Sequence, residues 1–521
     1  MPEGACTLAV DLGTGSCRAI VFDEAGTQLG MGQREWSHAE LPGAPGSQVF
    51  DTDGNWLHVS ACIREALSRA AVPSERIAAV SSTSMREGMV LYDAQGQEIW
   101  ACPNVDSRAS NEVAELVASG VAERIYRAGG DWVSITSPAR FLWIRRHQPD
   151  VWERVAHVGM LSDWVLTRLS GEYVTDATCG SSSGLFDLAL RSWSNGTLAL
   201  LGLDPGVFPA VLEPGTVVGR VCRAAAEETG LCEGTPVVAG GADTQLGLLG
   251  IGVTSPGRFT IVGGTFWQAT VVLDRPLVDP RMRLRTLCHA LPGRWMMEGI
   301  GFYSGLTMRW FRDAFCDAEV ERAAREGRDA YALMEELAAD VPAGSNGVIP
   351  IFSNLMDAKR WVHASPSFLG FDIAHPERSG RRECIRAIEE SAAYVARGHL
   401  GIIEELTGHR FDEVVFTGGA SKGALWTRVV SDVLGLPVRV PVVREPTELG
   451  DAMCAGVGAG LYASLEEVAR RIVRFEPTLE PDAAIHARYD ELYERWRAVY
   501  ARQLEISESG LLPPLWRAAG T

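Results

Sequence analysis

A glycine-rich turn near the start of the chain carries the first residues suited to chemistry. The segment DLGTGSCRA begins at residue 11 and holds a run of small residues, Thr14, Gly15 and Ser16. Backbone N–H groups that converge at such a turn bind phosphate oxygens, Arg18 adds a cation, and the Asp11 carboxylate is suited to the metal of a bound phosphate. A purely structural hairpin explains the turn equally well. The chain has no Walker A loop, and a strand rather than a Rossmann helix follows these glycines.

Two later turns offer the same chemistry. In TIVGGTFWQ, Gly264 and Thr265 again separate two apolar stretches. FTGGASKGALW, which begins at Phe416, follows an apolar strand and opens a helix, as a phosphate or nucleotide site at a helix N-terminus does. Three such turns are harder to attribute to coincidence than one.

Charged residues next to apolar strands form a second group of candidates. Asp243 lies just beyond the glycines of a strand end, GGADTQLG, where a carboxylate can act as general base for a hydroxyl or simply cap a turn. Arg86 and Glu87 precede an apolar strand and would bind vicinal hydroxyls or a carbonyl, unless they form an exposed ion pair. Asp106 and Arg108 follow a similar strand, and capping of the next helix is the alternative for them.

Composition narrows the function classes. The chain has 521 residues, 46% of them hydrophobic, and its 48 Lys and Arg against 66 Asp and Glu give a net charge of −18. This acidic balance excludes a nucleic-acid footprint and a basic membrane-binding run. The 11 cysteines form no C-x-x-C pair, the histidines show no zinc-ligand spacing, and no G-x-S-x-G elbow marks a hydrolase. With neither a secretory signal nor an 18-residue apolar span, we expect a cytoplasmic protein.

The first turn belongs to a strand-turn-strand pattern that recurs at an offset of 251 residues without gaps. The offset places Gly13 and Thr14 on Gly264 and Thr265. Two copies of one hairpin unit predict two related domains, with chance as the alternative. At the same offset Asp11 falls on a valine, so only the first copy holds a carboxylate at its turn.

The remaining pattern predicts an α/β fold. Helical periodicity at 56–70 and 111–126 alternates with β-rich runs at 77–80 and 237–239. Further along, a helix is predicted over 383–406, a strand over 414–416, and an amphipathic docking helix over 481–504. No low-complexity linker separates the halves. We therefore expect domains at 1–250 and 251–480, a helical tail at 481–521, and a hinge near residue 250.

Taken together, the hairpin pair, the Asp243 strand end and the Gly-Gly-Ala turn resemble the FGGY carbohydrate kinases of the actin-like ATPase superfamily, over nearly the full length. A closer resemblance to one group within that family rests on several segments present in order, SMREGMVLYD, EIWACPNVDSRA, GGTFWQ, SGLTMRWFRDAFC, GVIPIFS, ASKGALW and LGLPV. The resemblance implies two actin-like (ribonuclease H-like) ATPase domains that close on ATP and Mg²⁺, with the substrate in the interdomain cleft.

The resemblance also implies roles for individual residues. The nucleotide phosphates would contact Thr14, Gly15, Ser16 and Arg18, and a second phosphate turn would consist of Gly264 and Thr265. Asp11 would hold Mg²⁺ through water. The adenosine side would be lined by Gly305, Arg309, Gly418, Gly419, Ala420 and Gly423. The substrate would be bound by Arg86, Glu87, Asp106, Asp243 and Gln245, with Asp243 also taking the proton of the attacking hydroxyl.

Departures from the family pattern bear on the acceptor. Glycerol kinases carry a Tyr where this chain aligns Ile135, and pentulose kinases read Met-His-Gly or Gln-His-Gly where it has Met85-Arg86-Glu87-Gly88. These differences argue against glycerol and xylulose. The usual Gln and Asn of the adenosine side are Arg309 and Gly423.

The implied reaction moves the γ-phosphoryl group of ATP onto the terminal hydroxyl of 4,5-dihydroxy-2,3-pentanedione, a small polyhydroxylated carbonyl substrate. Two alternatives stay open. One is a kinase for another small ketose or polyol, such as xylulose, ribulose or glycerol. The other is an actin-like, nucleotide-dependent binding protein without a small acceptor. We expect neither nucleic-acid nor membrane partners, and a homodimer is the candidate protein assembly.

Overall fold

Two six-stranded sheets dominate the described chain, which in this computed structural model comprises residues 4–134, 136–357 and 359–518. Ile135, at which the sequence departs from glycerol kinases, lies outside the described residues. The strands are β1 (Cys6–Leu12), β2 (Ser16–Asp23), β3 (Gln28–Glu35), β4 (Ile77–Ser84), β5 (Met89–Tyr92), β6 (Glu98–Cys102), β7 (His157–Met160), β8 (Val174–Asp176), β9 (Phe186–Asp187), β10 (Ser192–Trp193), β11 (Ala210–Leu212), β12 (Val217–Arg220), β13 (Pro236–Ala242), β14 (Phe259–Gly263), β15 (Trp267–Leu273), β16 (Arg285–Cys288), β17 (Trp295–Gly301), β18 (Ile349–Ile351), β19 (Val362–His363), β20 (Ser367–Leu369), β21 (Val414–Thr417), β22 (Val438–Arg439) and β23 (Trp516–Arg517).

Helices separate most of these strands. They are α1 (Thr52–Ala70), α2 (Ser110–Ala118), α3 (Val121–Gly129), α4 (Ser137–His147), α5 (Pro149–Trp152), α6 (Leu161–Ser170), α7 (Ala177–Ser182), α8 (Asn195–Leu201), α9 (Arg223–Thr229), α10 (Asp243–Gly250), α11 (Ser304–Phe315), α12 (Asp317–Glu326), α13 (Ala330–Ala338), α14 (Arg381–Thr407), α15 (Ala424–Leu434), α16 (Pro446–Gly458), α17 (Leu465–Ile472) and α18 (Ala483–Glu508). Within the described ranges, none of them has the length and apolarity needed to cross a bilayer.

The two large sheets repeat one arrangement. The first has the order β12-β13-β4-β1-β2-β3, and the second the order β16-β17-β15-β14-β21-β22. In each, a hairpin partner lies antiparallel on one side of the leading strand and a parallel strand lies on the other, so β1 lies between β2 and β4, and β14 between β15 and β21. Strand β2 begins at Ser16 and β15 at Trp267. The predicted hairpin repeat and the α/β class are both confirmed.

Burial explains why these segments form strands. Every residue of β1 is buried, since helices cover both faces of the sheet. On one face α1 packs against β2 and β3 and is capped at its start by Asp51, whose side chain accepts from Gly54 N at 3.1 Å. In the second half the 27-residue α14 is the buried helix, and α18 docks on its neighbour α15. Four α18 aromatics, Tyr489, Tyr493, Trp496 and Tyr500, are buried, as the amphipathic pattern predicted.

One predicted helix is wrong in its continuity. The segment 111–126 forms two helices, α2 and α3, instead of one. They separate at Gly120, whose φ of 73° lies in the left-handed region that ends a helix.

Two helices cross at backbone contact between the halves. Helix α10 continues from β13, and α16 lies near the other end of the chain. A side chain on Gly250 would overlap the Pro446 carbonyl, and one on Gly450 would overlap the Leu246 carbonyl. Residues 446–472 pack on the first sheet, so the chain returns to its first half after building the second. The boundaries at 250 and 480 stay a prediction.

Candidate active site

The first glycine-rich turn presents its amides outward. The carbonyl oxygens of Gly13 and Thr14 each accept from Trp36 Nε1 at 3.1 Å, and His38 Nε2 lies 2.8 Å from the Thr14 oxygen. A peptide N–H points opposite to the C=O of the same peptide unit. The N–H groups of Thr14 and Gly15 therefore face away from Trp36, as a phosphate-binding turn requires.

Asp11 and Arg18 lie directly opposite each other on β1 and β2. Arg18 Nη1 donates to Glu445 at 3.1 Å and to Glu448, on α16, at 3.0 Å. In the structure this guanidinium therefore contacts two carboxylates from the far end of the chain, whereas the sequence predicts that it contacts phosphate. Burial raises the pKa of Asp11 well above its usual range, and the nearby Glu448 carboxylate raises it further.

The surroundings of Asp11 fit a magnesium ion held mainly by water and phosphate. Within the described ranges, no three His, Cys, Asp or Glu side chains converge to enclose an ion. Mg²⁺ is usually bound by one or two carboxylates, with waters and substrate phosphates completing its shell. Asp11 supplies such a hard oxygen ligand, and the negative charges of Asp243 and Glu448 near it favour a cation.

Asp243 begins α10 at the end of the apolar strand β13. Its Oδ1 accepts from Thr244 N at 2.6 Å, and Oδ2 has no hydrogen bond from the described residues. Burial raises the pKa of Asp243, while the Arg86 guanidinium opposes that rise. The side chain is therefore a carboxylate with one free oxygen and an elevated affinity for protons, which suits a general base.

Gln245 lies two residues after Asp243 on the same helix, and its side chain has different partners. It is fully buried, and its Nε2 donates to the Cys288 carbonyl of β16 at 3.4 Å. Residues two positions apart on a helix point to different sides. Gln245 Oε1 is buried without a partner among the described residues, and the substrate contact of Gln245 stays a prediction.

Arg86 and Glu87 belong to a buried cluster of charges. Arg86 Nη1 donates to Glu298 Oε1 at 3.0 Å, and Arg285 Nη2 donates to Glu87 Oε1 at 2.7 Å. Arg285 also donates to Asp131. Since Glu298 and Arg285 lie on β17 and β16, the cluster joins the loop after β4 to the second sheet. The alternative of an exposed ion pair is wrong.

Strain and unsatisfied atoms both occur in this charge cluster. Glu87 has a φ of 63°, a costly conformation for a non-glycine residue, and Arg140 holds its carbonyl. Burial raises the pKa of Asp131 to about 6 despite Arg285. Arg285 Nε and Glu298 Oε2 are buried without a partner among the described residues. One free donor and one free acceptor suit a ligand that carries both carbonyl and hydroxyl oxygens.

Sequence reasoning misses Arg285, Glu298 and Asp131. The signal for two of them is a charged residue within an otherwise apolar strand, RTLC and WMMEGIG. Such residues are almost never fully buried unless paired, so each predicts a partner.

The Asp106 carboxylate joins its own loop to the segment that precedes α1. Its Oδ2 accepts from Gln48 N and from Arg108 Nε, both at 2.7 Å, whereas Oδ1 is buried without a partner among the described residues. Helix α2 has Ala109 at its N-cap and no side-chain cap, so Asp106 does not cap it.

The residues predicted for the adenosine side share one cavity of about 460 Å³. Of that predicted set, Gly305, Arg309, Gly419, Ala420 and Gly423 line it, and it is also lined by Gly264 and Thr265 of the predicted second phosphate turn. Gly418 lies beside it with a φ of 90°, and a side chain there would press on the Gly263 carbonyl at 2.7 Å. A side chain on Gly305 would overlap the Gly264 carbonyl. The turns can meet at this cavity because glycine stands at each contact.

Most other cavity residues come from helices that the turn motifs do not mark, whereas Gly263, Lys422 and Trp426 lie within those motifs. They are Met308, Asp329, Tyr331, Ala332, Met334, Glu335, Ile385, Glu389, Lys422 and Trp426, with Gly263 completing the lining. Most belong to α13, α14 and α15, whose approach to the turns depends on tertiary packing.

The two halves of the chain match the two domains of one family. Residues 6–250 match the N-terminal domain of the FGGY family of carbohydrate kinases, and residues 260–459 match its C-terminal domain. The chain belongs to the FGGY family of carbohydrate kinases, which use ATP to phosphorylate a hydroxyl group of a small sugar-like substrate.

Named relatives resemble this chain in sequence or structure over nearly its whole length. Autoinducer-2 kinase of Salmonella paratyphi B is 45% identical over 521 residues, which cover 99% of this chain and 98% of that protein. Autoinducer-2 kinase of Klebsiella pneumoniae is 46% identical over 516 residues, covering 98% and 97%. Among solved structures, xylulose kinase from Rhodospirillum rubrum has a TM-score of 0.84 at 26% identity, covering 96% of this chain and 99% of that chain.

Proposed function

We propose that this chain is an ATP-dependent autoinducer-2 kinase that phosphorylates the terminal hydroxyl of 4,5-dihydroxy-2,3-pentanedione. The proposal assigns to this chain the activity named for relatives that are 45% identical across 99% of it. The observation that carries it is the buried charge cluster, in which Arg285 Nε and Glu298 Oε2 lack partners among the described residues. A guanidinium donates to carbonyl oxygens and a carboxylate accepts from hydroxyls, so the cluster suits a dihydroxy dicarbonyl compound better than a simple polyol.

Asp243 is proposed as the general base. As the terminal hydroxyl oxygen forms its bond to the γ-phosphorus, its proton passes to the free Oδ2 of Asp243. The bond between the γ-phosphorus and the bridging oxygen breaks, and ADP leaves with the electron pair. Arg86, which opposes the rise in the Asp243 pKa, helps keep the carboxylate ionised before transfer.

The turn amides of Thr14 and Gly15 are proposed to bind the transferred phosphoryl group, with Thr265 on the opposing turn. Fixed donors of this kind stabilise charge in the transition state without reorganising. When bound at Asp11, Mg²⁺ supplies further charge neutralisation on the phosphates. Closure of the two halves excludes water, which would otherwise compete as phosphoryl acceptor.

We also propose a cytoplasmic location, because the reaction needs ATP and all 11 cysteines are unpaired. The homodimer stays a prediction.

An acceptor panel tests the function. ATP consumption is measured with 4,5-dihydroxy-2,3-pentanedione (called pentanedione below), with glycerol, xylulose and ribulose, and without acceptor. We expect the highest kcat/KM for pentanedione and a phosphate on its terminal carbon by ³¹P NMR. A preference for another acceptor would instead support the general ketose or polyol kinase. Turnover that ignores every acceptor would support the nucleotide-dependent binding protein.

A further inference from the structure

The nucleotide-side cavity has two glutamates in its helical wall, Glu335 of α13 and Glu389 of α14. Glu335 is held in place. Its carboxylate accepts from the N–H groups of Leu425 at 3.2 Å and Trp426 at 3.4 Å, at the start of α15. A side chain on Gly423 would overlap this carboxylate, so glycine there makes room for it.

Glu389 has no such support. It is fully buried, and neither carboxyl oxygen has a hydrogen-bond partner among the described residues. Its neighbour Glu390 shows the contrast, because Gly344 N and Ser345 Oγ each donate to it at 2.9 Å and Tyr489 Oη donates at 2.7 Å. The fold therefore uses Glu390 and leaves Glu389 free at the cavity.

An unpaired buried carboxyl group destabilises the fold, because no hydrogen bond compensates for its lost hydration. An apolar side chain would fill the same wall of α14 without that penalty, as Ile385 does one turn earlier. The penalty is relieved when a ligand supplies matching polar atoms.

Burial and the nearby Glu335 raise the pKa of Glu389 well above its usual range. The raised pKa favours the protonated form, a carboxylic acid with one O–H donor and one carbonyl acceptor side by side. The edge of adenine offers the complement, an amino group that donates next to a ring nitrogen that accepts.

We propose that Glu389 binds the adenine base of the nucleotide, accepting from the 6-amino group and donating to the adjacent ring nitrogen. This inference rests on the proposed function, since it takes the cavity to be the nucleotide site.

The test compares ADP with purine riboside 5′-diphosphate, which lacks the 6-amino group, by calorimetric titration of the full-length protein. We expect the wild type to bind ADP roughly tenfold more tightly, the effect of one neutral hydrogen bond. In Glu389→Leu, ADP affinity should fall roughly 10- to 100-fold and the ratio should approach one. Glu389→Gln, which keeps one donor and one acceptor, should retain the wild-type ratio.

A merely structural role is separated by the melting temperature without nucleotide. Because Leu removes an unpaired buried acid, the ligand-free Glu389→Leu protein should melt no lower than the wild type. Equal wild-type affinity for the two nucleotides, or an unchanged ratio in Glu389→Leu, would overturn the base contact while leaving the kinase proposal intact. Failure of the wild type to bind either nucleotide would overturn both.

Discussion

Asp243 offers one free carboxylate oxygen at the start of α10, while Thr244 N holds the other at 2.6 Å. The prediction at this position is that Asp243→Asn lowers kcat by about a thousandfold, because the amide cannot take the hydroxyl proton. Asn keeps the acceptor for Thr244, so the fold should persist. Steady-state kinetics with pentanedione would measure the loss, and calorimetry should find ADP affinity within about threefold of the wild type. Retention of more than a tenth of kcat would remove Asp243 from the role of base.

The pH profile gives a second measure of the same residue. Only the ionised form of Asp243 accepts a proton, so kcat/KM falls as pH drops through its pKa. Since burial raises that pKa, the acid limb should lie above the ordinary carboxyl value of about 4. A limb at or below pH 4 would contradict the elevated pKa.

At the scale of elements, the crossing of α10 and α16 depends on glycine. We predict that Gly450→Ala destabilises the protein by about 1–3 kcal/mol, because the new methyl overlaps the Leu246 carbonyl and forces the helices apart. Thermal unfolding would measure the loss, and kcat should fall with it as the two halves lose their relative position.

Gly401→Ala is the matched control. Gly401 is exposed on α14, and a methyl there meets no atom within 4 Å. Alanine should leave stability unchanged or raise it by up to about 1 kcal/mol through helix propensity. Equal effects of the two substitutions would show that the crossing is not tightly packed.

Some of these elements could be predicted from the sequence, and some of their contacts could not. The strands beside the glycine-rich turns are predictable because apolar runs and glycines are local signals. The end of α2 before Gly120 carries a local signal too, since glycine weakens a helix interior. The partnership of Arg86 with Glu298 is not predictable, because it depends on how the loop after β4 meets a strand some 200 residues later. Likewise, Gly423 departs from the family pattern, and only the packing of α13 on α15 shows that Glu335 occupies its space.

For the whole molecule, ion pairs between distant segments lead us to expect that the two halves close on their bound ligands. Arg86 to Glu298 and Arg285 to Glu87 join the loop after β4 to the second sheet, where we propose that the substrate binds. We expect pentanedione with a non-hydrolysable ATP analogue to reduce the radius of gyration measured by small-angle scattering, because ligands on both sides draw the halves together.

Either ligand alone should produce a smaller change. The Asp243→Asn protein, whose binding surfaces remain, serves as control and should close like the wild type. An unchanged radius with both ligands bound would argue that the cleft is already closed in the free protein.

The return of the chain to its first sheet makes the halves interdependent. Leu449 and Val468 share a core with Ile20 and Phe22, while Phe186 joins the core of the second half. A fragment that stopped near residue 250 would leave Ile20 and Phe22 without their cover and would lose the partner of Phe186. Two polypeptides cut there would therefore behave as complementing fragments, each insoluble alone and each finishing the interior of the other.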